Sequence, residues 1–301
     1  MIFTPHQTVL VQGILTPLGR DCAERMKAYG TNVIAGTSAG WGGETFQEIP
    51  IYHLVEDAIA ASSEIATSVI CVPPYEVLDA VLEAIAAGVR QLIICTCSVP
   101  PVDMLRAIER ARCVDALILG PGSAGVILPG EVLIGTLSSS CYHPGNVGII
   151  ARTDNLMDAI AWELAQAKLG QSLAINLGTA AIVGSGFQEW LPILERDKRT
   201  EAIVVLDLDA SGNSADLLEA LGAELQKPVV AFIAGTHLPY PESHSDGAFI
   251  LADYLARSAL SSNRAEAKVT ALKKGKVTVA NRPSQVVSCI KKILRKKGDL
   301  S

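Results

Sequence analysis

The stretch TVLVQGILTPLGRD at residues 8–21 decides the fold: an apolar run closes on Gly13, and a second glycine, Gly19, stands where a helix begins near Arg20. In a doubly wound sheet the first strand-to-helix turn aims backbone N–H groups and a helix N-terminus at an anion in the crevice. The spacing departs from the G-x-G-x-x-G dinucleotide fingerprint, so a structural tight turn and a nucleotide-type loop both remain open on these residues. Working outward, apolar β-rich runs recur as TNVIAG, TSVICVP, QLIICTC and DALILG, with helical spacing between them at 21–29 and 75–87. Unbroken apolar strands are what a parallel sheet covered on both faces requires. A second series, NVGIIA, SLAINLG, EAIVVLDL, KPVVAFIAG and GKVTVA, alternates with helical patterns at 156–167 and 214–225. Breakers in GPGSAGVILPG (120–130) and SSSCYHPG (138–145) mark a boundary, giving domains of 1–135 and 136–301.

Composition agrees with two folded domains. The chain has 301 residues, 49% hydrophobic and 19% charged, so each half can bury a core. A net charge of -6 offers no general attraction to nucleic acid. The basic run KKILRKKG at 291–298 reads as a solvated helix end. Long uncharged windows at 132–151 and 169–188 are broken by serines, His143, Pro144 and glycines, so no membrane span is expected. MIFTPHQTVL lacks the pattern of a signal peptide, and the expected location is the cytoplasm. The seven cysteines are odd in number and scattered, which points to reduced thiols. Cys95 and Cys97, placed on a strand, would face one side, and a metal there would need two further ligands that the sequence does not supply, so no metal is expected. Two strand ends, CVPPY (71–75) and CTCSVPP (95–101), finish in Val-Pro; the prolines either stop strands or shape a groove at the sheet's carboxyl edge.

Taken in order, the segments VQG, AYGTNVIAG, GWGGETFQEIPIY, VICVPP, LEAIAAGVRQLIICT, GPGSAGVILPGEVLIG, HPGNVGII, LERDKRTEAIVVL and KPVVAFIAG resemble the alpha subunits of succinyl-CoA ligase and related NDP-forming acid–CoA ligases. The resemblance runs nearly end to end. It implies an α/β chain with an N-terminal Rossmann-like CoA-binding domain, a C-terminal flavodoxin-like ligase domain, and an ATP-grasp beta subunit as partner, with a homo-oligomer as the other outcome. It also implies CoA or an acyl-CoA as ligand, held by Gly13, Leu15, Thr16, Pro17, Leu18, Gly19, Trp41, Val72, Pro73, Cys95, Thr96, Cys97 and Ser123. Trp41 stands where relatives carry a phosphate-contacting lysine in G-K-G-G; an indole stacks on adenine but cannot pair with phosphate.

Active relatives work through a phosphorylated histidine in the C-terminal domain. The matching segment here is PESHSDGAFI, which puts Ser245 in the histidine's slot and His244 one residue early. The orienting glutamate's turn reads DLDASG, with Leu208 at the glutamate position and Asp207 and Asp209 beside it. The phosphate-binding helix start reads A-R-T-D-N-L, and Asp154 would set a negative charge at the positive helix end a phosphate needs. His244, Asp207 and Asp209 are therefore the catalytic candidates. The pattern of retained scaffold and altered chemistry points to a binding or regulatory protein with degenerate phosphohistidine chemistry; the alternative is an active, divergent alpha subunit working with an ATP-grasp partner. Apolar residues beside Gly184-Ser185-Gly186, such as Phe187 and Trp190, suggest a surface that a partner covers.

Overall fold

The computed structural model describes residues 3–62, 64–153, 156–208, 225–234, 269–270, 272–273 and 277–298. Two seven-stranded sheets organise them. The first comprises β1 (Val9–Gln12), β2 (Val33–Thr37), β3 (Thr45–Phe46), β4 (Ile49–Tyr52), β5 (Thr67–Ile70), β6 (Gln91–Ile94) and β7 (Leu117–Leu119), in the order β3-β4-β2-β1-β5-β6-β7. All neighbours pair in parallel except β3 with β4. The chain moves from β1 to one side, then returns to place β5 on the other, so the switch point lies between β1 and β5. β1 and β5 are buried along their whole length, as a sheet with helices on both faces demands.

Helix α1 (Pro17–Tyr29) starts three residues before the expected Arg20, because Thr16 caps it: its hydroxyl accepts from the Gly19 N–H at 2.9 Å, and Pro17 opens the first turn. It stops at Gly30, whose φ of 93° is the left-handed conformation that ends helices. Helix α2 (Val55–Ala61) precedes β5. The Val-Pro strand ends lead directly into helices: Pro74 opens a short 3-10 turn before α3 (Val77–Ala86), and Pro101 opens α4 (Pro101–Arg112). Those second prolines are helix starters, their missing N–H falling where a helix has no internal partner for it.

The second sheet comprises β8 (Gly125–Leu128), β9 (Val132–Gly135), β10 (Pro144–Ala151), β11 (Gln171–Asn176), β12 (Ala202–Leu208), β13 (Val229–Ala234) and β14 (Thr278–Ala280), in the order β14-β13-β12-β10-β11-β8-β9. Helices α5 (Leu156–Gln166), α6 (Phe187–Arg196) and α7 (Pro283–Gly298) pack on it. Its switch point lies between β10 and β12. The β8–β9 hairpin falls within the 1–135 segment, yet β8 pairs antiparallel with β11, so the sheets divide between Leu119 and Gly125. GVIL and VLIG are short fully buried strands that glycine and proline punctuate rather than exclude.

One apolar cluster crosses both sheets, joining Phe3, Val9 and Met26 to Trp190, Leu191 and Ile203. Trp190 is fully buried, Phe187 is 1% exposed, and the indole stacks on Phe3 with ring centroids 6.0 Å apart. Trp190 Nε1 donates to Ser185 Oγ at 2.9 Å, and that hydroxyl donates to the Ile118 carbonyl at 2.7 Å. The expected partner surface at Phe187 and Trp190 is thus the seam between the chain's own two halves, because α6 lies between the sheets and its apolar face is already covered. No helix among the described residues is long and apolar enough to cross a membrane.

Candidate functional site

At the first switch point the turn after β1 packs against the strand end after β5. A methyl group on Gly19 would fall 2.1 Å from the Gly13 carbonyl oxygen, and one on Gly13 would meet Val72 N at 2.9 Å. Gly13 also holds a φ of +75°. Two glycines therefore let the backbone fold tightly enough for the N-terminus of α1 to face the crevice. Thr16 Oγ1 lies 2.9 Å from both the Gly13 and Cys71 carbonyls, between which its single proton is shared. Thr96 donates to the Val72 carbonyl at 2.6 Å, and Gly122 N donates to the Thr96 carbonyl at 2.9 Å. Ser123 is buried; its hydroxyl donates to the Asn176 carbonyl and accepts from Gly125 N at 2.9 Å. The three hydroxyls expected at the ligand are thereby engaged in bracing the crevice and tying β7 to β11.

A cavity of about 520 Å³ opens beside this turn, and of the expected ligand-binding residues Leu18, Cys95, Cys97 and Ser123 line it. Asp21, Arg25 and Asp158 line it too, and sequence reasoning missed them there. Pro17 and Pro73 are exposed and Leu15 and Val72 half-buried, and none of the four lines this cavity. Trp41 is 55% exposed on the turn after β2, outside this cavity. Cys95 and Cys97 lie beyond the end of β6 rather than on it, Cys95 buried and Cys97 exposed, both bordering this cavity, and Ser98 next to them has a φ of 58°. Cys95 instead meets Cys22 of α1 and Cys71 at the end of β5, the three sulfurs all within 4.8 Å of one another. The Cys22 contact, with burial, pushes the Cys71 thiol well above its ordinary range. At Cys22 and Cys95 one thiol contact of each pulls downward, but the other contact and burial outweigh it, and both thiols end well above the ordinary value.

The second switch point is built differently. Arg152, just beyond β10, is 2% exposed and donates from Nη2 to the Ala180 carbonyl at 2.7 Å. Thr153 is 1% exposed and its hydroxyl has no hydrogen-bond partner among the described residues. Asn176 holds this corner, donating to the Thr153 carbonyl at 2.7 Å and accepting from Gly178 N at 2.9 Å. Asp207, on neighbouring β12, is 1% exposed. A cavity of about 800 Å³ reaches from Arg152 to Glu109 and Arg112 of α4 and to Glu189 of α6. Asp207 lines neither cavity. Asp209, His244 and Ser245, with Asp154, lie outside the described residues. Arg152 went unremarked beside Asp154, although a cation ending an otherwise apolar strand was the available signal.

Helix α5 borders the first cavity through Asp158. Asp158 accepts from the Tyr142 hydroxyl at 2.6 Å while lining the first cavity. Burial, then the Asp158 charge, holds the Tyr142 phenol well above its usual value.

Comparison with known proteins fits both halves. Residues 5–97 match the CoA binding domain family, and residues 144–263 match the family described as succinyl-CoA ligase like flavodoxin domain. The chain is 33% identical over 294 residues to succinate–CoA ligase [ADP-forming] subunit alpha 2 of Archaeoglobus fulgidus, covering 98% of this chain and 99% of the relative. It is 32% identical over 235 residues to the malate–CoA ligase subunit alpha of Methylorubrum extorquens, covering 77% and 79%. An ATP citrate lyase from Methanosaeta concilii in complex with (3S)-citryl-CoA shares the fold at a TM-score of 0.83 and 19% identity, covering all of this chain and 52% of that one.

Proposed function

The chain belongs to the succinyl-CoA ligase alpha-subunit family, and from that premise we propose that it binds coenzyme A in the first crevice and serves as the alpha subunit of an ADP-forming acid–CoA ligase. The observation that carries the reading is the turn at 13–19, where a methyl on Gly19 would meet the Gly13 carbonyl at 2.1 Å and α1 begins at the floor of the crevice. A tight glycine turn feeding a helix N-terminus is suited to a pyrophosphate, whose charge the backbone N–H groups and helix dipole offset. The exposed Trp41 supplies an aromatic face for the adenine end. Relatives aligned over 98% and 77% of the chain are ligase subunits, which favours the active subunit over the binding-only protein.

A buried arginine beside Thr153, at the switch point of the second sheet, suits an anionic acyl or phosphoryl group there, with Asp207 following Leu206, whose carbonyl accepts from Arg152 N at 2.8 Å, on the paired strand β12. Partnering with an ATP-grasp beta subunit follows from the same premise. The test joins the purified chain to its beta partner with ATP, CoA and a panel of succinate, malate and sulfoacetate, reading acyl-CoA by hydroxamate trapping. Acyl-CoA that requires both chains is expected. Heat on titrating CoA into the chain, without acyl-CoA from any acid, would leave a binding protein; no heat at millimolar CoA in a folded sample overturns the reading altogether.

A further inference from the structure

Three thiols from separate segments meet beneath the crevice, and the CoA reading leaves two of them unused. Cys22 lies one and a half turns into α1, Cys71 is the first residue after β5, and Cys95 the first after β6. Their backbones are fixed: Cys71 N donates to the Gln12 carbonyl at 2.9 Å, and Cys95 N to the Ile70 carbonyl at 3.0 Å. Cys22 and Cys71 sulfurs are 3.5 Å apart, and the three lie within 4.8 Å of one another. A central atom about 2.3 Å from each sulfur, the length of a zinc–thiolate bond, spans sulfurs up to about 4 Å apart, so the cluster needs little closing.

We propose that Cys22, Cys71 and Cys95 form a three-thiol site for a neutral, trivalent, thiophilic hydroxide of the arsenous-acid class, entered through the cavity that Cys95 and Cys97 line. Charge selects this class. Among the described residues the group supplies three sulfurs and no histidine or carboxylate, so zinc would take a water as fourth ligand and leave a net negative charge buried. Three thiolates around a monovalent or divalent cation would bury a net negative charge, and the nearest acidic group felt by these thiols, Asp21, adds to that cost. The trivalent hydroxide avoids it. Three As–O bonds and three S–H bonds break, three As–S bonds form, and each proton leaves with a hydroxide as water. Arsenic stays trivalent, sulfur is not oxidised, and the product is uncharged. The raised thiol pKa values favour a ligand that takes the proton away as water over one that requires free thiolate.

The experiment uses the full chain, reduced with a phosphine and exposed to sodium arsenite. Native mass spectrometry should show one arsenic added and three hydrogens lost per chain. Arsenic K-edge absorption should show three sulfur neighbours and no oxygen. Cys22→Ala and Cys71→Ala should each lower occupancy at least tenfold, whereas Cys113→Ala and Cys141→Ala should not change it. No adduct, an adduct retaining oxygen or bound by two sulfurs, an adduct that survives both core substitutions, or uptake of zinc or monovalent copper in its place overturns the proposal. Should the core variants fail to fold, the neighbour count on the unmodified chain decides alone.

Discussion

The two switch points arise from the same rule of sheet topology but are furnished with opposite chemistry. The β1/β5 crevice is made of backbone, two glycines and a layer of buried thiols, and its hydroxyls at Thr16, Thr96 and Ser123 are spent on carbonyls of the protein itself. The β10/β12 crevice instead buries an arginine, a threonine hydroxyl without a described partner, and a carboxylate. Burying polar groups costs stability unless something answers them. The first crevice is thus braced by its own hydroxyls and main chain, while the second buries charged and polar side chains at the end of its sheet.

The largest test of that comparison removes what joins the two halves that carry the crevices. Trp190→Ala should lower stability by about 3–5 kcal/mol and split urea unfolding, followed by circular dichroism and tryptophan fluorescence, into two phases. A loss under about 1 kcal/mol with one phase would mean that the stack on Phe3 and the Ser185 bridge do not couple the halves. Next in size, Gly19→Ala should lower stability by about 1–3 kcal/mol through overpacking against the Gly13 carbonyl and abolish the heat of CoA binding. Retained CoA binding would show that the turn is structural only.

A smaller effect is expected at α5, where Asp158 borders the first cavity. Tyr142→Phe should cost about 1.5 kcal/mol at neutral pH, the lower range for a hydrogen bond to a charged group. Because the folded phenol titrates above its unfolded value of about 10, this contribution is complete below that pH and is lost as pH rises through the raised folded value. Chemical denaturation at pH 7, 9 and 11 should therefore show the gap between wild type and variant closing only at the top. A gap constant to pH 11 would contradict the raised phenol. The last test leaves the fold intact: iodoacetamide at neutral pH should label exposed Cys97 and Cys113 and spare Cys22, Cys71 and Cys95, read by peptide mapping. Rapid labelling of Cys71 would mean the thiol layer opens.

Much of the fold was legible because its signals are local. Apolar runs ending at glycine, proline or a polar residue located β1, β2, β5 and β6, and the pair Gly13 and Gly19 marked the tight turn after β1, since a residue without a side chain is needed wherever backbones approach this closely. The β8–β9 hairpin was missed, because the glycines and proline of 120–130 read as breaks when they punctuate short strands, and Pro101, read as stopping a strand or shaping a groove, opens α4. Trp41 was legible as a changed residue, but its place outside the cavity beside the turn was not.

By itself the sequence determined the alternation of strand and helix, the parallel sheets and the ancestry, all of which follow from residues near one another along the chain. Only the tertiary structure decided that Phe187 and Trp190 face inward, that β8 joins the second sheet, and that Cys22, Cys71 and Cys95 share one site. These are contacts between residues 24 to more than 180 positions apart, set by how helices and sheets pack once formed, and no periodicity within a single segment carries that information.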